Sequence, residues 1–352
     1  MLHIHYDKQL ARMLGTTRSE LRDVLDHADD WYEILRLYDP AKPKKPRDVV
    51  NVRGKLRRLQ NQLYRRVLLP KLVVSTYSHG GIRGRHVKSN AHAHVESQFV
   101  FKADISNFYP TIRQQRVYRL FHDRFSCMPP VAKLCTRLCT FDHHLALGLI
   151  TSPILADQEL HSVDERIGGM CRQAGLVYTR FVDDVTISGI YDLERSGIPH
   201  VVNEILVESG FTANPEKYEF GRLANGIAIT GVRRNRRGHL DVRREYAEEV
   251  SRQLDNVDHL ARGESFHRQR PYYTKAQIRG RVEFVRWINR GRGEQLFRQF
   301  RSIHWQAAED SALRQGLVVC KKTITKREYA LEPKNGSGRS GVKGEVGSGL
   351  DF

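Results

Sequence analysis

Two neighbouring carboxylates interrupt an apolar segment near the middle of the chain. The segment from Leu176 to Ile190 reads LVYTRFVDDVTISGI, in which β-branched and aromatic residues predict strand while Asp183 and Asp184 lie at the centre. In a continuous strand these side chains would point to opposite faces, whereas a tight turn would bring both to one end of a hairpin. Close carboxylates repel unless a divalent cation lies between them, and oxygen-rich clusters suit Mg²⁺. A solvated polar turn is the alternative interpretation.

A third acid lies at the end of an earlier strand-like segment. The sequence FVFKADISNFYPTI contains Asp104 directly after a β-rich run. One carboxylate at a strand end, beside two at a hairpin tip, would supply the ligands for two metal ions. In two-metal phosphoryl transfer one ion activates the attacking hydroxyl, and the other stabilises the triphosphate and the leaving pyrophosphate. The alternative role for Asp104 is to cap the helix that follows.

The charge of the chain favours a polyanionic partner. Its 352 residues include 58 Lys and Arg against 40 Asp and Glu, which gives a formal net charge of +18. A strongly basic chain is typical of proteins that bind nucleic acids, and a generally basic surface is the alternative explanation. The hydrophobic fraction of 40% is ordinary for a globular protein.

The cysteines and the hydropathy pattern exclude several classes of protein. Five cysteines, an odd number without a CxxC pair, predict reduced thiols and a cytoplasmic protein. Cys135 and Cys139 precede His143 and His144, but their spacing fits no common zinc pattern, so a buried helix stripe is favoured. We find no signal-peptide pattern and no apolar run of about 20 residues, so a membrane is not an expected partner.

The elements that must position the acids can be outlined from periodicity. Residues 1–40 predict two short amphipathic helices, and strands are predicted around FVFKADIS and in the segment with the paired aspartates. A further strand pair is predicted in GIAITGVRRNRRGHLDV, with NRRG as its turn. From Arg243 to about Gln315 the pattern is helical and basic, and a Gly/Ser-rich tail follows.

Five segments in order resemble the motifs of reverse transcriptases. FKADISNFYPTI resembles motif A, LALGLITSPILADQEL motif B, FVDD motif C, ESGFTANPEKYEF motif D and ITGVRRNRRGHL motif E. NAHAH, from Asn90 to His94, and ITG, from Ile229 to Gly231, are similar to the N-A-x-x-H and V-T-G signatures of retron reverse transcriptases. Phe181 departs from the usual Tyr of motif C, and Leu147 and Ile150 depart from motif B.

The resemblance implies an α+β fold of the right-hand polymerase type, with fingers, a palm built on an antiparallel sheet, and a helical thumb. The implied domains are a helical extension at 1–43, fingers at 44–98 with a fingers and palm insertion at 111–150, a palm at 99–242, a basic thumb at 243–320 and a flexible tail at 333–352.

The resemblance also implies roles for individual residues. These are catalysis and metal binding by Asp104, Asp183 and Asp184 with the carbonyl of Ile105; nucleotide binding by Lys45, Arg47, Tyr109, Gly148, Ser152 and Lys217; and RNA recognition by Asn90, His94, Thr230, Gly231 and Trp287.

Three of these roles have explicit physical content. The ring of Tyr109, at the steric-gate position, would collide with a ribose 2′-OH and so favour deoxynucleotides. Arg47 is the first candidate for bidentate phosphate contact, and a solvated charge on an edge strand is the alternative. For Trp287, packing within the helical region is the alternative to contact with RNA.

The function implied is that of a retron RNA-directed DNA polymerase. Such an enzyme copies part of its own structured non-coding RNA into branched, RNA-linked single-stranded DNA (msDNA), starting from a guanosine 2′-OH. Its cofactors would be two Mg²⁺ ions, with Mn²⁺ as a substitute. Its partners would be the cognate RNA, the DNA product, dNTPs, an effector protein in antiphage defence and a host ribonuclease H. The alternatives are a group II intron-like reverse transcriptase and a non-catalytic RNA-binding scaffold.

Overall fold

A computed structural model describes residues 2–39, 42–235, 237–266, 272–317 and 321–325 of the chain. The predicted Gly/Ser-rich tail at 333–352 lies outside these residues, as does Cys320. The first half contains α1 (Asp7–Leu14), α2 (Arg18–Asp26), β1 (Tyr32–Asp39), β2 (Lys42–Val52), α3 (Gly54–Gln62), α4 (Leu69–Lys71), α5 (Val87–His92), β3 (Phe99–Asp104), α6 (Phe108–Thr111), α7 (Gln114–Arg119), α8 (Pro129–Cys139) and α9 (Ser152–Gln173).

The second half continues with β4 (Val177–Phe181), β5 (Asp184–Gly189), α10 (Ile198–Glu208), β6 (Glu219–Arg222), β7 (Val232–Arg234), β8 (Leu240–Val242), α11 (Arg244–Ala261), α12 (Lys275–Ile288), α13 (Arg290–Ser302), α14 (Trp305–Arg314) and β9 (Lys321–Thr325). Mixed helix and antiparallel sheet make this an α+β structure, as predicted.

The central sheet contains four antiparallel strands in the order β4-β5-β3-β6. Phe101 and Ala103 of β3 are buried, because alternate residues of a strand share one face and this face packs on the helices. Lys102, on the other face of β3, forms an ion pair of 2.7 Å with Glu219 of β6. The predicted strands around FVFKADIS and in the segment with the paired aspartates are therefore confirmed.

The N-terminal sheet has three antiparallel strands in the order β2-β1-β9. The two short helices predicted at the N-terminus are confirmed as α1 and α2, but the helical extension predicted for 1–43 is wrong for Tyr32–Asp39, which form β1. Tyr32 and Ile34 are buried at alternate positions, as expected for a strand, and the pairing of β1 with β2 and with the distant β9 outweighs local helix propensity.

The C-terminal bundle, α11 to α14, has a hydrophobic core of its own. Buried residues such as Leu254, Val282 and Phe300 form one cluster, which also includes Val100 of β3 and Val232 of β7. A second cluster unites the N-terminal helices, α8, α9 and the inner face of the central sheet. The predicted helices from Arg243 onward and the predicted β7–β8 pair are confirmed. Within the described residues no helix is both long and apolar enough to span a membrane.

Helices α12 and α13 are in close contact at Gly293. A Cβ atom at this position would lie 2.0 Å from the Cα of Arg286, so the two backbones are nearly in contact. At Gly280, also in α12, a Cβ atom would meet no other part of the described chain within 4 Å, so this position offers a matched control.

We expect Gly293→Ala to lower the free energy of unfolding by roughly 1–3 kcal/mol, since the helices must separate to admit the methyl group. Gly280→Ala should instead raise it by roughly 0.5–1 kcal/mol through helix propensity. Urea unfolding followed by tryptophan fluorescence measures both changes. Equal midpoints for the two variants would contradict the close packing.

Candidate metal and nucleotide site

The register of the central sheet brings the three predicted acids together. Asp104, the last residue of β3, pairs with Asp184, the first residue of β5. Directly opposed residues of antiparallel strands project from the same face, so these two carboxylates share the open face of the sheet. Asp183 lies in the two-residue turn between β4 and β5, and its carbonyl accepts a hydrogen bond of 3.0 Å from the backbone N–H of Ile105.

The turn that carries Asp183 has an uncommon backbone conformation. Its first residue, Val182, has a φ of 60°, in the left-handed region that β-branched residues rarely adopt. A positive φ at the first position of a two-residue hairpin turn is typical of type II′, where glycine is usual. Gly80 packs against the turn so closely that a Cβ there would lie 2.4 Å from the backbone nitrogen of Val182. The surrounding structure therefore holds the turn in a strained conformation.

The site concentrates negative charge. Burial, and then the negative charges of Asp184 and Asp104, raise the pKa of Asp183 to about 6. Burial also raises the pKa of Asp184, against the lowering effect of the Lys102 ammonium. Lys217 forms an ion pair with Asp104, and this hydrogen bond raises the pKa of the lysine. A further positive charge at this site would reduce the repulsion between the three carboxylates.

The donor set suits a hard divalent cation. Three carboxylates and the adjacent carbonyl of Ile105 are oxygen ligands of the kind that Mg²⁺ and Mn²⁺ prefer. In the described part of the chain, no three His, Cys, Asp or Glu side chains are already gathered around one point as a metal site. The Lys217 ammonium lies against Asp104 instead. A cation bound here would therefore compete with Lys217 for this carboxylate.

Of the residues expected to bind the nucleotide, Tyr109 and Lys217 lie beside this cluster. Tyr109 is partly buried, and burial together with the charge of Asp183 raises its pKa to about 12. Arg47 is exposed on β2, opposite Leu37. The side chain of Lys45 lies outside the described residues.

The two motif B residues are more enclosed than the sequence suggested. Gly148 has a φ of 105°, and a Cβ there would lie 2.3 Å from the carbonyl oxygen of Val50. The N–H of Val50 also donates a hydrogen bond of 2.8 Å to the carbonyl of Leu147. Glycine is thus required by the approach of β2. Ser152 is buried at the start of α9, and its Oγ has no hydrogen-bond partner among the described residues.

The two short retron-like signatures contact each other. Asn90, in α5, donates a hydrogen bond of 3.4 Å to Oγ1 of Thr230, whose hydroxyl donates to the carbonyl of Val87. Gly231 follows with a φ of 83°, and a Cβ there would lie 3.9 Å from the ring of Phe284. The contact links α5 to the loop before β7.

His94 packs against the central sheet on the face that also carries Asp104 and Asp184. Its Nδ1 is 2.6 Å from Oγ of Ser188 and its Nε2 is 2.7 Å from Oγ1 of Thr179. Burial lowers the pKa of His94 to about 3, so the ring is neutral. Both nitrogens are thus engaged within the protein, and a role in RNA recognition stays a prediction.

Trp287 lies at the junction of α5 and the C-terminal bundle. The residue is 45% exposed, and its ring packs edge-on against His86, with 4.8 Å between ring centroids. Its carbonyl accepts a hydrogen bond of 3.3 Å from Nζ of Lys88. Phe284, by contrast, is partly buried within the bundle's cluster. Trp287 therefore retains an accessible aromatic face.

A buried ion network behind the acids was not predicted. Arg180 of β4 is 2% exposed and pairs with Asp157 and Asp164 of α9. A signal was present in the sequence, since two acids seven residues apart fall on one side of a helix whose neighbouring positions are apolar.

Cys135 and Cys139 lie on the buried side of α8.

The pKa of Asp183 leads to a prediction about stability. Because its folded value, about 6, exceeds its unfolded value near 3.8, the folded state binds the extra proton between these pH values. The free energy of unfolding should therefore fall as the pH rises from 4 to above 6. In Asp183→Asn the side chain does not ionise, so the free energy of unfolding should not fall for this reason as the pH rises. Without divalent ions at pH 7.5 it should be more stable than the wild type by about 1–2 kcal/mol, allowing for solvent screening.

Urea unfolding at pH 4 and at pH 7.5 tests this, and the difference should vanish at the lower pH. Glu309→Gln, which makes the same change at an exposed position of α14, provides the control and should show no comparable gain. A wild type that is as stable as Asp183→Asn at pH 7.5 would contradict the charge concentration.

Comparisons with known proteins identify the family to which the chain belongs. Residues 40–250 match the family described as reverse transcriptase (RNA-dependent DNA polymerase). The retron Mx65 reverse transcriptase of Myxococcus xanthus is 29% identical over 316 residues, 83% of this chain and 70% of the relative. The retron Se72 reverse transcriptase of Salmonella heidelberg is 26% identical over 63% of this chain and 60% of the relative. The retron Ec86 reverse transcriptase of Escherichia coli is 29% identical over 48% and 52%.

The chain thus spans about half to 70% of the length of these relatives. The prediction of an RNA-directed DNA polymerase is confirmed at the level of the family, whose members use divalent metal ions. The chain belongs to the reverse transcriptase family, and it is a member of the retron type.

Proposed function

We propose that this protein copies part of a structured non-coding RNA of its own retron into branched, RNA-linked single-stranded DNA, starting from a guanosine 2′-OH. The observation that supports it best is the pairing of Asp104 with Asp184 beside the Asp183 turn. This places three acids at one end of an antiparallel sheet in a chain of net charge +18. The contact between Asn90 and Thr230 supports the retron assignment, because it joins the two signatures of that group.

We assign the right-hand architecture to the elements as follows. The central sheet with α9 and α10 is the palm, the N-terminal sheet with α3 belongs to the fingers, and the C-terminal bundle is the thumb. The antiparallel palm sheet and the separate core of the bundle support this division. The thumb would grip the duplex mainly through its phosphates, for which exposed arginines suffice. Exposed examples are Arg279, Arg290, Arg298 and Arg301.

The acids Asp104, Asp183 and Asp184, with the carbonyl of Ile105, would hold two Mg²⁺ ions, and Mn²⁺ could replace them. Bound ions of this kind favour ionisation of an attacking hydroxyl and neutralise a triphosphate. Arg47 would bind the triphosphate through its planar guanidinium. Lys217 would act as the proton donor to pyrophosphate, and its ion pair with Asp104 keeps it protonated until a cation takes its place.

The experiment uses RNA transcribed from the DNA just upstream of the gene, incubated with the protein, dNTPs and MgCl₂. The expected product is DNA joined to the RNA through a 2′–5′ bond, which a debranching nuclease would release. DNA primed only from 3′ ends would favour a group II intron-like enzyme. No incorporation on any primed RNA would favour a non-catalytic scaffold.

The matched control is the double variant Asp183→Ala and Asp184→Ala. It should lose incorporation by several orders of magnitude, because electrostatic stabilisation of this kind dominates phosphoryl transfer. Its affinity for the RNA should be retained and should fall with added salt, since phosphate contacts release counterions. A double variant that still incorporates dNTPs would contradict the assignment of these acids.

The position of Tyr109 beside Asp183 supports its role in selecting deoxynucleotides. We expect Tyr109→Ala to raise incorporation of rNTPs relative to dNTPs by roughly 10–100-fold, since a clash worth 1–3 kcal/mol is removed. Tyr109→Phe keeps the ring and should leave the ratio unchanged. Single-nucleotide extension with each substrate measures the ratio. Similar ratios for Tyr109→Ala and the wild type would contradict selection by bulk.

A further inference from the structure

Arg180 is the largest of the fully buried side chains that the structure describes. It lies in β4, two residues before the turn that carries Asp183. Burying a guanidinium is costly unless it is paired and its donors are satisfied, so its surroundings should show why it is retained there.

Two acids of α9 hold the guanidinium. Its Nε and Nη2 donate to the two carboxylate oxygens of Asp164 at 2.8 and 2.7 Å, in the bidentate geometry that arginine favours. Nη2 also donates to Asp157 at 3.0 Å. Both acids are fixed in turn, since Asp164 accepts from the hydroxyl of Tyr178 and Asp157 from the N–H of Ser75.

The remaining nitrogen of Arg180 reaches the turn. Its Nη1 donates a hydrogen bond of 2.8 Å to the carbonyl oxygen of Val182. This carbonyl belongs to the peptide unit that joins Val182 to Asp183, and a peptide unit is planar. Fixing the carbonyl therefore fixes the plane from which Asp183 departs. Gly80 packs against the preceding peptide unit, between Phe181 and Val182, so the turn is held by contacts at two successive peptide units.

The strained φ of Val182 explains why such a restraint is needed. A β-branched residue in the left-handed region costs of order 1–3 kcal/mol and persists only where surrounding contacts enforce it. Without the hydrogen bond from Arg180, the turn could relax and move Asp183 away from Asp184 and Asp104.

We propose that Arg180, anchored by Asp157 and Asp164, is a positioning residue that sets the Val182–Asp183 turn so that the three acids are preorganised for divalent cations. The proposal rests on the proposed function of these acids. Helix α9 would then serve the site in two ways. It begins at Ser152, which is predicted to bind the nucleotide, and it fixes the metal-binding turn through Arg180. The alternative is a buried ion network that contributes only to stability.

The test compares Arg180→Lys with Arg116→Lys. Arg116 also anchors α9, through a 2.7 Å bond to Glu159, and bonds the carbonyl of Ser209 at 3.1 Å, but no contact joins it to the turn. Lysine keeps the positive charge in both variants but lacks the planar guanidinium and its several N–H donors. The main readout is Mn²⁺ binding by the protein alone, followed by the loss of the free-ion electron paramagnetic resonance signal.

We expect the dissociation constant for Mn²⁺ to rise about tenfold in Arg180→Lys, within the range found when partners of metal ligands are changed. It should be unchanged in Arg116→Lys, even where urea unfolding shows an equal loss of stability. In dNTP incorporation, kcat should fall in Arg180→Lys while KM for dNTP stays constant. Equal Mn²⁺ affinities in both variants and the wild type would overturn the proposal.

A milder variant covers the case in which Arg180→Lys does not fold. Asp157→Asn leaves one acceptor oxygen in place of the two that bind Arg180 and the N–H of Ser75, and it keeps the bidentate pair with Asp164, so it should weaken Mn²⁺ binding in the same direction by a smaller factor. Unaltered binding in this variant would then overturn the proposal.

Asp183→Asn distinguishes a failure of the proposed metal site from a failure of the positioning role of Arg180. If the wild type binds no Mn²⁺, the metal site itself fails; if it binds and only Asp183→Asn loses binding, the positioning role of Arg180 alone fails.

Discussion

The pairing of Asp104 with Asp184 is the constraint on which the site depends. A shift of one residue between β3 and β5 would send Asp104 to the opposite face of the sheet, away from the other acids. The register is maintained by both faces of β3. Phe101 stacks on Phe220 at 5.0 Å within the core, while Lys102 pairs with Glu219 on the open face. Packing on one face thus fixes the chemistry on the other.

The open face changes character along a single strand. Val100 is buried under the cluster of the C-terminal bundle, Lys102 follows at the edge, and Asp104 reaches the acidic site. Alternate residues of one strand therefore join the bundle, a neutralising ion pair and the candidate metal ligands. The arrangement concentrates like charges and a strained turn at one end of the sheet. Both features are destabilising, and the buried Arg180 network and the packing of Gly80 hold them in place.

Much of the site could be predicted from the sequence because its signals are local. A carboxylate that interrupts a β-rich segment can be recognised in the sequence, and so can a turn between two such segments. The helices of the C-terminal bundle likewise follow from a period that is visible in short windows. What could not be predicted depends on distant partners. Tyr32–Asp39 becomes a strand only through pairing with β2 and β9, and Gly148 is required by the backbone of Val50.

The network of Arg180 was missed for a related reason. A basic residue inside a strand looks like an exposed charge until the acids of α9 are known to lie beside it. His94 illustrates the converse, since its motif indicated contact with RNA while its ring nitrogens meet hydroxyls of the central sheet. Tertiary packing decides which polar groups meet, so the two acids on the apolar side of α9 indicate a buried ion network without identifying Arg180 as their partner.

The pairing of β9 with β1 has a consequence for synthesis on the ribosome. Glu33 pairs with Thr325, so the N-terminal sheet unites residues from opposite ends of the described chain. During translation β1 emerges early, and one of its edges stays unpaired until β9 follows. An uncovered edge strand is a template for association with other chains. Nascent protein is therefore expected to be most vulnerable to aggregation, and most dependent on chaperones, in the interval before β9 arrives.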